Sequence, residues 1–126
     1  MSQSVDEAAE KLNQRMNKLV RGTLIGMTSK IIERSPVDTG RFRANWQLSI
    51  GHPAVTDVSS NDKSGAKAKR NAAQTINTTK IGRVFYLTNN LPYAEMLEFG
   101  WSKQAPYGMV RRTLAEYAKF FREGKK

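Results

Sequence analysis

Glu95 and Glu98 are the closest approach to a reactive pair in this chain. A spacing of three puts both carboxylates on one face of a helix, where one protonated and one ionised group could share acid–base work. Their neighbours Tyr93, Met96 and Phe99 supply no metal ligand, so the two read as helix-surface charges. His52 is the only histidine and stands beside Pro53 in a stretch of turn formers. With no second histidine and no cysteine, the usual zinc ligand sets are out of reach. A Ser/His/Asp set can be written from His52, Asp38 and one of the serines, but nothing in the surrounding sequence draws them together. There is no glycine-rich phosphate loop either. The expectation is a protein that is not an enzyme and takes no cofactor or metal.

The elements that would position these groups follow from periodicity. From Val5 to Ile32 the apolar residues recur at spacings of three and four, which predicts one amphipathic helix over about 5–34. At 1.5 Å per residue it spans about 45 Å, more than a small domain needs, so it either covers its own sheet or projects toward a partner. Gly22 and Gly26 permit a bend or the close approach of another backbone. Ser35-Pro36 ends the helix, because proline disfavours helical geometry in the residue before it. Val37-Asp38-Thr39-Gly40 reads as a turn. Arg41 to Ile50 alternates strictly, with Phe42, Ala44, Trp46, Leu48 and Ile50 on one face and Arg41, Arg43, Asn45, Gln47 and Ser49 on the other. That pattern predicts a half-buried antiparallel strand over 41–50 with Trp46 in the core.

The middle of the chain, about 51–83, reads as a basic loop or mobile segment. Within it Ala66, Ala68, Ala72, Ala73 and Ile76 give a weak apolar stripe for a peripheral helix, with Asp62 near its start. Val84 to Thr88 is a second strand able to pair with the first. Asn89-Asn90-Leu91-Pro92 reads as a turn into a short helix, since Asn tolerates left-handed backbone and Pro suits a first helical turn. Gly100 stops that helix, and Pro106 helps start another over about 107–122, whose stripe is Met109, Val110, Thr113, Leu114, Tyr117, Phe120 and Phe121. Arg122, Lys125 and Lys126 suit the negative end of its dipole. Trp101 falls just past the helix stop among Ser, Lys and Gln, where an exposed aromatic can anchor a partner. The whole is an α+β chain: a long N-terminal helix and a C-terminal helix packed on a small, mainly antiparallel β-sheet.

Composition bounds what this fold can be. The 126 residues are 39% hydrophobic, with a mean hydropathy of −0.58, which suits one domain on the polar side of globular. No apolar run approaches the roughly 20 residues of a membrane span, and the first residues lack the basic start and apolar core of a signal peptide. The lack of cysteine fits a protein made and used in a reducing cytosol. The net charge of +10 is uneven. Residues 1–40 carry six Lys/Arg against five Asp/Glu, residues 41–83 eight against two, and residues 84–126 seven against four. Lys63, Lys67, Lys69, Arg70, Lys80 and Arg83 therefore form a candidate polyanion-binding region, although charge alone is more simply accounted for by a solubilising loop or a docking face for an acidic protein.

Two stretches carry a family resemblance. Ser35-Pro-Val-Asp-Thr-Gly-Arg-Phe-Arg-Ala-Asn-Trp46 resembles the segment after the first helix in neck or tail-completion proteins of long-tailed bacteriophages. Asn89-Asn90-Leu91-Pro92-Tyr93-Ala94, Leu97-Glu98-Phe99-Gly100-Trp101-Ser102 and Gln104 to Val110 resemble that family's second block. Order, gap and flanking helices agree over about Met16 to Phe121, while Lys63–Arg83 departs from the pattern. The resemblance implies a structural virion protein at the head–tail junction, assembled in the host cytoplasm. It would form rings with itself, commonly six-fold, beside tail-terminator and head-closure proteins. On this reading Asp38, Thr39, Gly40, Tyr93, Glu98, Trp101 and Gln104 are the expected protein-interface residues. The competing reading is a DNA-binding module that uses the basic middle region.

Overall fold

The structure, a computed structural model, describes residues 2–122, and of residues 2, 3 and 120 the backbone alone. Lys125 and Lys126, expected to favour the last helix end, lie outside the described residues. In chain order the elements are α1 (Ser2–Arg34), α2 (Arg41–Ala44), β1 (Gln47–Ile50), α3 (Ala66–Thr78), β2 (Phe85–Thr88), α4 (Ala94–Glu98) and α5 (Val110–Arg122). β1 and β2 form a two-stranded antiparallel sheet with Gln47 opposite Thr88 and Ile50 opposite Phe85. The fold class is α+β, with the long N-terminal helix, the small antiparallel sheet and the C-terminal helix. Among the described residues no helix is long and apolar enough to cross a membrane.

The helices meet one another before they meet the sheet. α3 and α5 both pack on α1, and β1 packs on α3. Only the second half of α1 takes part: Thr28, Ile31 and Ile32 are buried, whereas residues 4–16 are exposed throughout. The core gathers Ile31, Ile32, Phe42, Trp46, Ala68, Leu91, Ala105 and Met109. Ile32, like Ile76 on α3, is wholly buried, which stabilises the fold by about 1.5–3 kcal/mol per side chain.

The weak alanine stripe turns out to be a packing face. Ala68, Ala72 and Ile76 are buried, and the small side chains of the two alanines let α3 lie close to α1. Gly65, at φ 75, begins α3 where a Cβ would stand 2.5 Å from Ile32 Cγ2. The Asp62 carboxylate accepts the Ala68 N–H at 3.0 Å, satisfying a donor of the first turn as expected of a capping acid.

The predicted strand over 41–50 is half helix. Residues 41–44 make a single helical turn, and extended backbone starts only at Gln47. Alternation misled because Phe42 and Trp46, four apart, share a side of a helical turn as well as a side of a strand. Their rings meet edge to face at 5.8 Å between centroids, a favoured aromatic geometry. Asn45 and Arg43, expected on the solvent face, are turned inward. Asn45 is wholly buried and donates to the carbonyls of Arg41 and Val58 while accepting the Val58 N–H.

Asn89 and Asn90 are not left-handed, for among the described residues only glycines have positive φ. Their side chains make the turn instead. Asn89 donates to Phe42 O and accepts from the Leu91 N–H, and Asn90 donates to the carbonyls of Ala54 and Thr56. Gly100 does stop α4, at φ 90, with the Trp101 N–H reaching back to Met96 O. The last helix starts at Val110 rather than near Tyr107, because buried Gly108 adopts φ 82 and breaks the helical path. Of the two glycines of α1, Gly26 makes room for a side chain rather than a backbone: the Tyr117 hydroxyl of α5 would lie 2.6 Å from a Cβ there.

Candidate functional site

The two sequence blocks that carry the resemblance come together in space. Gln104 is the clamp: its Oε1 accepts the Val37 N–H at 2.9 Å and its Nε2 donates to Val37 O at 3.1 Å. This pair copies the two-bond ladder of an antiparallel strand with a single side chain. Between the blocks lies a shallow cleft, walled on one side by Pro36 to Arg41 and on the other by Tyr93, Leu97, Ser102 and Gln104, with Phe42 at its base. The Tyr93 ring lies 5.9 Å from the Phe42 ring. Five of the seven expected interface residues, Asp38, Thr39, Gly40, Tyr93 and Gln104, line this cleft.

These five differ in what they offer a partner. Asp38 is exposed and forms no hydrogen bond or ion pair with another described residue. Thr39 is exposed, and its hydroxyl accepts the Arg41 N–H. Gly40 is buried and presents nothing: a Cβ there would come within 2.5–2.8 Å of backbone atoms of Asp62 and Lys63. Its role is to let the 61–63 backbone pass, and its carbonyl accepts the Asp62 N–H. Gln104 is occupied by the clamp. The cleft therefore presents a carboxylate and a hydroxyl above an aromatic base, chemistry that suits a basic or aromatic side chain from another protein.

Glu98 lies elsewhere, and it is no simple helix-surface charge. It accepts the N–H groups of Met109, Val110 and Arg111 at 2.9–3.0 Å, while the Arg111 guanidinium bonds its carboxylate at 3.2 Å. The side chain is only 17% exposed. It is the N-cap of α5, supplied from another helix at the positive end of the dipole. Partial burial would raise its pKa, but the three backbone donors, led by Arg111, and the Arg111 side chain hold it below the ordinary glutamate range. Glu95, by contrast, is exposed and has no such role.

Beyond the cleft, the loop after α4 carries the most exposed aromatics of this region: Trp101 is 75% and Tyr107 74% exposed. The loop closes on itself, since Gly100 lies against the Pro106 carbonyl. Phe99 is exposed beneath the Arg111 guanidinium, 4.8 Å above its ring. Tyr107 and Phe99 went unrecognised in the sequence. Tyr107 falls at the expected start of the last helix, outside its apolar stripe, where nothing local marks it as a surface anchor.

The basic residues are spread out. Lys69 pairs with Glu33 across α3 and α1 at 3.3 Å. Lys63, Lys67, Arg70, Lys80 and Arg83 form no ion pair with a described residue, and Lys67 and Arg70 share the outer side of α3. His52 is exposed, with its Nδ1 3.3 Å from Pro53 O. Among the described residues, no group of three or more His, Cys, Asp or Glu could hold a metal ion.

The motif residues Ser35, Arg43 and Trp46 face inward as well. Trp46 Nε1 donates to the Ser35 hydroxyl at 2.7 Å, which donates to Ile31 O at 2.8 Å. Arg43 donates to the carbonyls of Ser35, Lys63 and Glu33. The first block is thus largely a structural knot that aims Asp38 and Thr39 outward. No family model, curated protein or solved structure matches the chain.

Proposed function

We infer that this chain is a structural subunit of the head–tail junction of a long-tailed bacteriophage or prophage, acting between head-closure and tail-terminator components and alongside further copies of itself. The observation that carries this reading is the Val37–Gln104 clamp. It unites the two stretches of resemblance into one surface, with Asp38 and Thr39 on one wall and the exposed Trp101 and Tyr107 on the adjoining loop. Two surface-exposed aromatics on a closed loop are the kind of anchor that protein interfaces use. Contacts of this surface with neighbouring virion proteins would join heads to tails.

The test is particle assembly with Trp101→Ala and Asp38→Lys, alone and together. Both positions are exposed, so the purified variants should keep the parent's melting temperature while full heads and finished tails accumulate unjoined. Normal yields of joined particles from the double variant would overturn the reading.

A second reading, a polyanion contact, draws on the unpaired Lys67 and Arg70 on the outer side of α3. It expects DNA binding that weakens steeply with salt and is lost in Lys67→Glu/Arg70→Glu. Joined particles at normal yield from that variant would confine any such contact to a role outside head–tail joining.

A further inference from the structure

The exposed half of α1 carries an ordered pattern. Val5, Ala9, Leu12, Met16 and Leu19 follow one another at spacings of four, three, four and three, the seam of a coiled coil. The four large members are 56–67% exposed. This is not the buried face carried outward: at 100° per residue the seam lies roughly 140° around the helix from Thr28, Ile31 and Ile32. The seam runs on into an open apolar groove between α1 and α5, lined by Leu19, Gly22, Thr23, Tyr117 and Phe121 and edged by Arg15 and Lys18. Gly22 has nothing within 4 Å of where its Cβ would stand, so space is left beside Leu19.

Charge divides the same helix in two. Residues 4–10 hold Asp6, Glu7 and Glu10 and no cation; residues 11–21 hold Lys11, Arg15, Lys18 and Arg21 and no carboxylate. None of the seven makes an ion pair with a described residue.

We propose that the exposed half of α1 pairs antiparallel with the same segment of a second copy of this chain. The acidic end of each helix then lies along the basic stretch of the other, while a parallel pair would set carboxylates against carboxylates. Because seam and groove lie along one unbroken helix, seating one copy's Val5 end in the other's groove also brings the other's Val5 end to the first copy's groove. The contact closes on itself as a two-fold interface. Ala9 faces Leu19 of the second copy, Leu12 faces Met16, and Val5 enters the groove beside Gly22 and Phe121. Small residues oppose large ones at the ends. The proposal does not depend on the head–tail reading.

The full chain at about 100 µM, where a micromolar pair is essentially complete, should sediment as a dimer. Leu12→Glu should return it to monomer with an unchanged circular dichroism spectrum. Glu7→Lys/Glu10→Lys should weaken the pair at least tenfold, and adding Arg15→Glu/Lys18→Glu to the same chain should restore it. The absence of native cysteine allows a direct reading of direction. A mixture of Leu12→Cys and Met16→Cys chains should oxidise to the mixed disulfide, in preference to either homodimer. A monomer at that concentration, an oligomer indifferent to Leu12→Glu, or cross-linking of each cysteine variant chiefly with itself would each overturn the proposal.

Discussion

Residues 35–46 and the first half of α1 face opposite ways in their chemistry. In the former, most polar groups are engaged within the chain: Ser35, Arg43, Asn45 and the Trp46 indole all bond internally, and Gly40 yields its space to a passing backbone. In the latter, the apolar seam stays exposed and none of the charges forms an ion pair with a described residue. The contrast shows that a memorable sequence motif and an available surface are different things. The motif is memorable because each residue meets several constraints at once. The α1 seam is built from ordinary residues whose significance lies in spacing and in being left uncovered.

That contrast can be strained from its strongest point downward. Gly40→Ala should have the largest effect, since it combines a left-handed backbone with contacts to Asp62 and Lys63 under 3 Å. A loss of about 3 kcal/mol or more is expected by thermal or urea unfolding, and a stable Gly40→Ala would remove the knot's main constraint. Asn45→Ala leaves the Val58 N–H and two carbonyls without their buried partner. It should cost about 2–3 kcal/mol on the same assay.

Glu98→Gln should come next, at about 1–2 kcal/mol, the scale of a lost helix cap. It also carries a pH signature. The folded pKa of Glu98 is depressed, so its contribution is fully present above the unfolded glutamate range and disappears as pH falls through the folded value. Parent and variant melting temperatures should therefore converge on acidification, and a constant gap would mean that ionisation of Glu98 does not matter. The smallest effect belongs to Leu12→Glu, whose monomer stability should stay within about 0.5 kcal/mol of the parent. A larger loss in monomeric protein would show that the seam has an internal partner.

Legibility in the sequence followed locality. The long helix, the second strand, the short helix with its glycine stop and the alanine stripe are all set by neighbours a few residues apart, and they stand where periodicity, residue type and turn chemistry put them. The turn at 41–44 was misread because positions 42 and 46 satisfy both periods, and only burial of Asn45 separates the two. The Glu98 cap was hidden for another reason. Its donors lie eleven to thirteen residues away, beyond a loop, so no local capping pattern marks it. The cleft was legible only as two separate stretches, because the bond that joins them spans 67 residues.

Arg21 stands where α1 leaves the body of the protein, and its guanidinium donates to the carbonyls of Ile76 and Thr79 at the end of α3. On the other flank the Tyr117 hydroxyl rests against Gly26. These two contacts make a fulcrum. The exposed arm from residue 4 to 20 is about 25 Å long and the gripped shank about 20 Å, so a sideways load at the tip is borne first by the Arg21 bonds. α1 in this sense has the form of a lever, and a displacement of its tip would act first on the end of α3, where the connection leading into β2 begins.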